Sequence, residues 1–166
     1  VCIVGGGNVA MDAARSSKRL GADVTIVYRR SFDQMPARIE ESNHAKEEGI
    51  NFLNLHNPVE IHGQDGWVKD VKLEKMDLGK PDKSGRARPI PTGEYETIEF
   101  DSVIVSIGQS PNPLIKQTNP EIETEPWGGI IINEDTTMTT KDGVFAGGDA
   151  VSGAATVILA MGAGKK

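Results

Sequence analysis

The opening thirty residues constrain the rest of the chain more than any other stretch. Val1-Cys2-Ile3-Val4 is apolar and β-prone and runs straight into Gly5-Gly6-Gly7-Asn8-Val9-Ala10, a G-x-G-x-x-A turn of the dinucleotide-binding type. In such a turn the first glycine lets the chain leave the strand sharply. The second lacks the Cβ that would hold a pyrophosphate off the backbone, and the small third residue lets the helix pack closely on the strand. Gly5, Gly7 and Ala10 occupy those places. The N–H groups around Asn8 and Val9 then open a helix towards an anion, at the positive end of its dipole. Val9, Ala13, Ser17 and Leu20 recur at helical spacing, which predicts a helix over Val9–Leu20 stopped by Gly21.

The next strand, Val24-Thr25-Ile26-Val27-Tyr28, indicates which nucleotide is meant. A site for NAD usually carries an acidic residue at this strand end to accept from the ribose 2′-OH, whereas this chain has Arg29 and Arg30. Guanidinium forks suit a 2′-phosphate, so the expected ligand is NADPH. Arg38, in the first turn of a helix expected from Pro36 to Glu48 with Asp33 as its cap, can face the same phosphate. His44 on that helix reads as solvent-facing. Ile50–Leu55 supplies a third parallel strand and completes a βαβαβ unit of Rossmann-like α/β type.

From Pro58 to Phe100 the pattern changes to antiparallel strands. Val59–His62, a turn at Gly63–Gly66 and a strand over Trp67–Leu78 form a meander, with Trp67, Lys69, Val71 and Leu73 on one face. Gly79–Gly93, rich in Pro and Gly and carrying Lys80, Lys83, Arg86 and Arg88, reads as a polar hairpin loop. Tyr95–Phe100 returns as a strand. Asp101–Ile107 is a buried parallel strand ending at Gly108, where a nucleotide would cross the strand's carboxyl end. His56 and His62 read as structural rather than metal-binding.

The final third is a different unit. Pro111, Pro113 and Pro120 mark a crossing segment, Gly129–Asn133 a short strand, and Ala154–Gly164 a helix of small residues preceded by Gly147-Gly148-Asp149. An acid at a strand end before a helix can hold a ribityl hydroxyl and an adjacent phosphate.

A net charge of −6 over 166 residues argues against a nucleic-acid partner, and no apolar run approaches membrane-spanning length. The single cysteine, Cys2, reads as a buried small hydrophobe, and alone it can build neither an internal disulfide nor a cysteine-ligated cluster. A strand at residue 1 and an uncapped helix at the end read as a segment of a longer polypeptide, most simply cytoplasmic.

Three stretches together resemble the small (beta) subunit family of NADPH-dependent glutamate synthases. They are Gly5–Asp12, Tyr28-Arg29-Arg30 with Met35-Pro36-Ala37-Arg38, and Val144–Asp149. Dihydropyrimidine dehydrogenase and electron-bifurcating ferredoxin:NADP oxidoreductases are similar. Thioredoxin reductases share the plan, but a Cys-x-x-Cys pair would be expected of them. The resemblance implies a flavoprotein with two dinucleotide-binding domains, residues 1–107 forming the NADPH domain and residues 108–166 the returning, incomplete part of an FAD domain. Asp149, with Gly148, would sit on the flavin ribityl chain and Thr156 at the flavin's pyrimidine edge. It further implies hydride transfer from NADPH to FAD. Electrons would pass through iron–sulfur clusters held in an N-terminal region outside this sequence to a glutamate synthase large subunit or another accepting subunit. No catalytic acid or base and no metal ligand is expected here, and the isolated segment should bind NADPH without turnover. A non-catalytic NADPH-binding domain is the reading from a different class.

Overall fold

The computed structural model describes residues 1–81 and 85–166. Two compact units divide the chain, Val1–Gly108 and Gln109–Lys166.

In the first unit, β1 (Cys2–Val4), α1 (Asn8–Arg19), β2 (Thr25–Tyr28), α2 (Ile39–Glu47) and β3 (Asn51–Asn54) follow in βαβαβ order. The antiparallel strands β4 (His56–Gln64), β5 (Trp67–Pro81) and β6 (Ala87–Glu99) come next, then β7 (Val103–Val105). The parallel sheet has the order β3-β2-β1-β7. Ile3 pairs with Ile26 on one side and Ile104 on the other. The strands β4-β5-β6 form a second, antiparallel sheet.

The period-2 alternation of a strand sends neighbouring side chains to opposite faces, and β1 uses both. Ile3 packs with Ala10, Met11, Ala14, Val24, Ile26, Ala45 and Ile50 on the helical side. Cys2 and Val4 pack with Val27, Val71, Leu73 and Phe100 on the other. The parallel sheet is thus sandwiched between α1 and α2 and the antiparallel sheet. Burial pushes the Cys2 thiol up to about 11, as expected for a desolvated thiol. Arg15 joins the helices: its Nη1 donates to Glu41 Oε2 at 2.6 Å, and its Nε and Nη2 to Glu48 Oε1 at 3.0 and 2.9 Å.

Several expected elements differ. The expected buried strand Asp101–Ile107 is only Val103–Val105, and Val105 and Ile107 are exposed, because no described residue of this unit covers the end of this edge strand. The second helix begins at Ile39, not Pro36, and Phe32–Gln34 is a separate 3-10 turn. The residue before a proline is biased to extended backbone, Met35 has ψ 134°, and the Ala37 N–H donates to the Gly6 carbonyl at 3.0 Å rather than into a helix. The expected loop Gly79–Gly93 is largely strand, since β5 runs to Pro81 and β6 starts at Ala87; its Lys83 lies outside the described residues. On the face that Trp67, Lys69, Val71 and Leu73 share, Val71 and Leu73 are fully buried, whereas Trp67 at the sheet's end is 77% exposed.

The second unit has little regular structure: α3 (Leu114–Thr118), α4 (Asp149–Ser152), α5 (Val157–Ala163) and isolated antiparallel bridges, including Thr124–Ile130 and Ile132–Thr139. The expected strand Gly129–Asn133 survives only as such bridges. Gly147 lies under α5, where a Cβ would stand 2.9 Å from that of Ala163.

Candidate nucleotide-binding site

Strands β2 and β7 flank β1, and all three are parallel, so the chain's direction of travel reverses between β1 and β7. The carboxyl ends at such a reversal are where open α/β sheets bind ligands. Gly5–Ala10 stands at this end of β1 and Arg29 at that of β2, with Ser106–Gly108 following β7.

The glycines of the turn differ in what they answer to. Gly5 has φ +139°, and a Cβ there would strike the Ser106 carbonyl; the fold itself demands glycine. A Cβ on Gly6 would lie 2.7 Å from the Tyr28 ring. Gly7 is ordinary backbone at φ −92°, and the nearest protein atom to its would-be Cβ is Pro36 Cγ at 4.0 Å. Packing does not require glycine at this position, and the space a side chain would fill stands open beside the start of α1.

Gly7 is also the N-cap of α1 and offers no side-chain acceptor, while the first N–H groups of a helix have no intrahelical partner. Asn8 and Val9 are exposed and Ala10 is fully buried against Ile3's side of the sheet. The open cradle therefore fits a pyrophosphate: bare backbone, donors and the helix dipole converge on it. Gly108 has φ +90° with nothing within 4 Å of a Cβ, which leaves the end of β7 equally uncluttered.

The arginines separate into two kinds. Arg29 and Arg38 are exposed, and neither guanidinium has a hydrogen-bond or ion-pair partner among the described residues. Arg30 is only 5% exposed, and its Nε donates to the Ala87 carbonyl at 2.8 Å. Arg38 is drawn to the turn by its backbone, whose N–H donates to Asn8 Oδ1 at 2.9 Å. The geometry thus brings Gly5, Gly7, Asn8, Val9, Ala10, Arg29 and Arg38 to one edge and commits Arg30 to the β5–β6 hairpin.

In the second unit, Asp149 is exposed at the start of α4, and its Oδ1 accepts from the Ala155 N–H at 3.2 Å. Thr156 caps α5, its Oγ1 accepting from Leu159 N at 3.4 Å. Gly148 precedes Asp149 at φ +67°.

Sequence reasoning missed the carboxylates around His62. Its Nδ1 lies 2.5 Å from Asp70 Oδ1 and its Nε2 3.1 Å from Glu60 Oε2. The hydrogen bond to Asp70, then that to Glu60, hold the imidazole's pKa above its ordinary value. Only the β4–β5 register, His62 opposite Asp70, makes this contact, and spacing along the chain does not reveal it. Among the described residues no group of three or more His, Cys, Asp or Glu side chains is arranged to hold a metal ion.

A parallel sheet with an open glycine turn at its reversal point, and an exposed arginine closing the second strand, defines a dinucleotide-binding α/β protein. More narrowly, the chain belongs to the pyridine nucleotide-disulphide oxidoreductase family, whose profile matches residues 1–164. It is 42% identical over 168 residues to the NADP(+)-dependent formate dehydrogenase subunit beta of Moorella thermoacetica, matching all of this chain and 24% of that protein. It is 37% identical over 171 residues to the glutamate synthase [NADPH] small chain of Halomonas elongata, matching all of this chain and 36% of that one. The resemblance read from three motifs therefore runs the whole length of the chain. Among solved structures, thioredoxin reductase of Lactococcus lactis superposes with a TM-score of 0.79 at 27% identity, over 98% of this chain and 48% of that one. The chain thus spans about a quarter to a third of the length of the Moorella and Halomonas relatives.

Proposed function

We propose that this chain is the NADPH-binding portion of a flavin- and iron–sulfur-dependent oxidoreductase of the glutamate synthase small-subunit kind. Residues 1–107 bind NADPH and residues 108–166 contribute part of an FAD site; the division into two compact units after Gly108 supports that partition. The observation that carries the reading is the Gly7 cradle, open where packing leaves it free to be filled.

In this reading the pyrophosphate rests on the N–H groups at Gly7, Asn8 and Val9. Arg29 and Arg38 clasp the 2′-phosphate, and Gly108 gives the cofactor passage over β7. Gly148, Asp149 and Thr156 face the flavin. A bound flavin would supply the ring that takes up hydride, and a bound nicotinamide the hydride. That step needs two rings held in close register rather than an acid or base, so the chain's part is binding and orientation.

The onward route, to a large subunit making glutamate from glutamine and 2-oxoglutarate through clusters outside this sequence, belongs to the same proposal, as does a cytoplasmic setting. A second reading has its own support. The formate dehydrogenase subunit matches the full chain at higher identity than the glutamate synthase chain, so the same NADPH module can serve a different electron partner, as in a ferredoxin:NADP oxidoreductase.

Titration of the protein with NADPH and NADH tests the nucleotide reading. Preference for NADPH by about tenfold or more is expected from charge-assisted phosphate contacts, and equal affinities would refute it. Co-purification of the accepting subunit distinguishes the two electron routes.

A further inference from the structure

Asn8 is the first residue of α1 and is exposed beside the open cradle, a place from which its amide could meet a pyrophosphate. Its Oδ1 is instead engaged by the Arg38 backbone N–H at 2.9 Å. This bond is one of three that hold the segment 34–38 against the glycine turn and the end of β2. Ala37 N–H donates to the Gly6 carbonyl at 3.0 Å, and Tyr28 Oη, from the end of β2, donates to the Gln34 carbonyl at 3.0 Å.

Arg38 is the N-cap of α2, with extended backbone at ψ 139° and no side-chain cap. Its N–H therefore belongs to no helical ladder, and Asn8 is what holds it. The guanidinium projects from this fixed backbone without a partner among the described residues. An arginine pre-positioned in this way binds an anion with less ordering cost than one on a loose loop.

We propose that Asn8 is a positioning residue for the 2′-phosphate: it acts through Arg38 and sets selectivity between phosphorylated and unphosphorylated nucleotides from within the pyrophosphate turn. The inference rests on the nucleotide reading above. It makes the two phosphate subsites one mechanical unit, since the residue that opens α1 also anchors the arginine arriving from α2.

The test uses the protein that carries this chain and the oxidised nucleotides NADP+ and NAD+, which bind without turnover. Asn8→Ala should weaken NADP+ by about fivefold, the scale of one lost hydrogen bond, and NAD+ by less than about twofold. Asn8→Asp keeps the acceptor for Arg38 but adds charge beside the pyrophosphate; it should weaken both nucleotides while preserving their ratio. Asn8→Ala combined with Arg38→Ala should give the ratio of Arg38→Ala alone, because both changes remove one device. Equal weakening of both nucleotides by Asn8→Ala, or effects of the two alanine changes on the ratio that multiply, would overturn the proposal. An unmodified protein that binds NADP+ and NAD+ alike would overturn the underlying phosphate reading as well.

Discussion

Arg30 Nε donates to the Ala87 carbonyl oxygen at 2.8 Å, joining the end of β2 to the β5–β6 hairpin across 57 residues of chain. Ala87's register partner, Pro81, has no N–H to offer, and Arg30 supplies the donor. Two arginines adjacent in sequence thus do different work, one committed to the fold and one presented to solvent.

Substitution should separate them. Arg29→Ala is expected to lower NADPH affinity by about tenfold or more and to leave NADH within about twofold, since only the 2′-phosphate is lost as a partner. Arg30→Ala should weaken both nucleotides alike and destabilise the fold by about 2 kcal/mol, the scale of a buried charged hydrogen bond. Nucleotide titration and denaturant unfolding of the two variants check this; selective loss of NADPH by Arg30→Ala with unchanged stability would reverse the assignment.

The glycine turn makes a second pair of opposed expectations. Gly7→Ala places a methyl in the open cradle at an ordinary φ, so stability should change by less than about 1 kcal/mol. Nucleotide affinity should fall by at least about tenfold as the backbone is held off the pyrophosphate. Gly5→Ala drives a Cβ into the Ser106 carbonyl at a positive φ and should cost on the order of 3 kcal/mol or more. Thermal unfolding with and without NADPH distinguishes the two, the first variant losing ligand stabilisation and the second losing the fold.

How much of this was legible depended on the range over which each feature is encoded. The strand, turn and helix at Cys2–Arg19 are specified by neighbouring residues, and their expected bounds lie within a residue or so of the observed ones. The long hairpin was not legible, because Gly79, Pro81, Pro89 and Pro91 all disfavour strands. Yet β6 is an edge strand, and its prolines pair in register, Pro89 with Leu78 and Pro91 with Met76, where a missing N–H is tolerated. The split between Arg29 and Arg30 and the Asn8–Arg38 bond join distant elements, and the His62–Asp70 contact depends on the cross-strand register of β4 and β5. No local pattern carries that information.

Acid should loosen the packing of α1 on α2. Glu48 is held at about 2, far below its ordinary 4.5, first by the hydrogen bond from Arg15 and then by that from Arg19. A carboxylate with a depressed folded-state value contributes stability that is fully present above its unfolded value, and loses it as pH falls through the folded one. The contribution should therefore fade between about pH 4.5 and 2. Glu48→Gln should lack that part of the acid dependence, as measured by urea midpoints across the same range. An unchanged pH profile in the variant would remove Glu48 from the account.

His62 works with the opposite sign. Asp70 and then Glu60 raise its pKa, while Lys72 lies 3.5 Å from Glu60 and Glu99 pairs in register with Asp70 on the other side. A group whose folded-state value is raised stabilises the fold fully below its unfolded value, near 6.5, and that contribution disappears as pH rises through the folded value. The β4–β5 pairing should therefore be firmer at pH 6 than at pH 9. His62→Gln, which keeps a polar side chain but cannot become a cation, should flatten this alkaline-side loss. Amide exchange along β4, compared with urea midpoints at both pH values, is the appropriate measurement. If the variant softens between pH 6 and 9 as steeply as the parent, the pH dependence originates elsewhere.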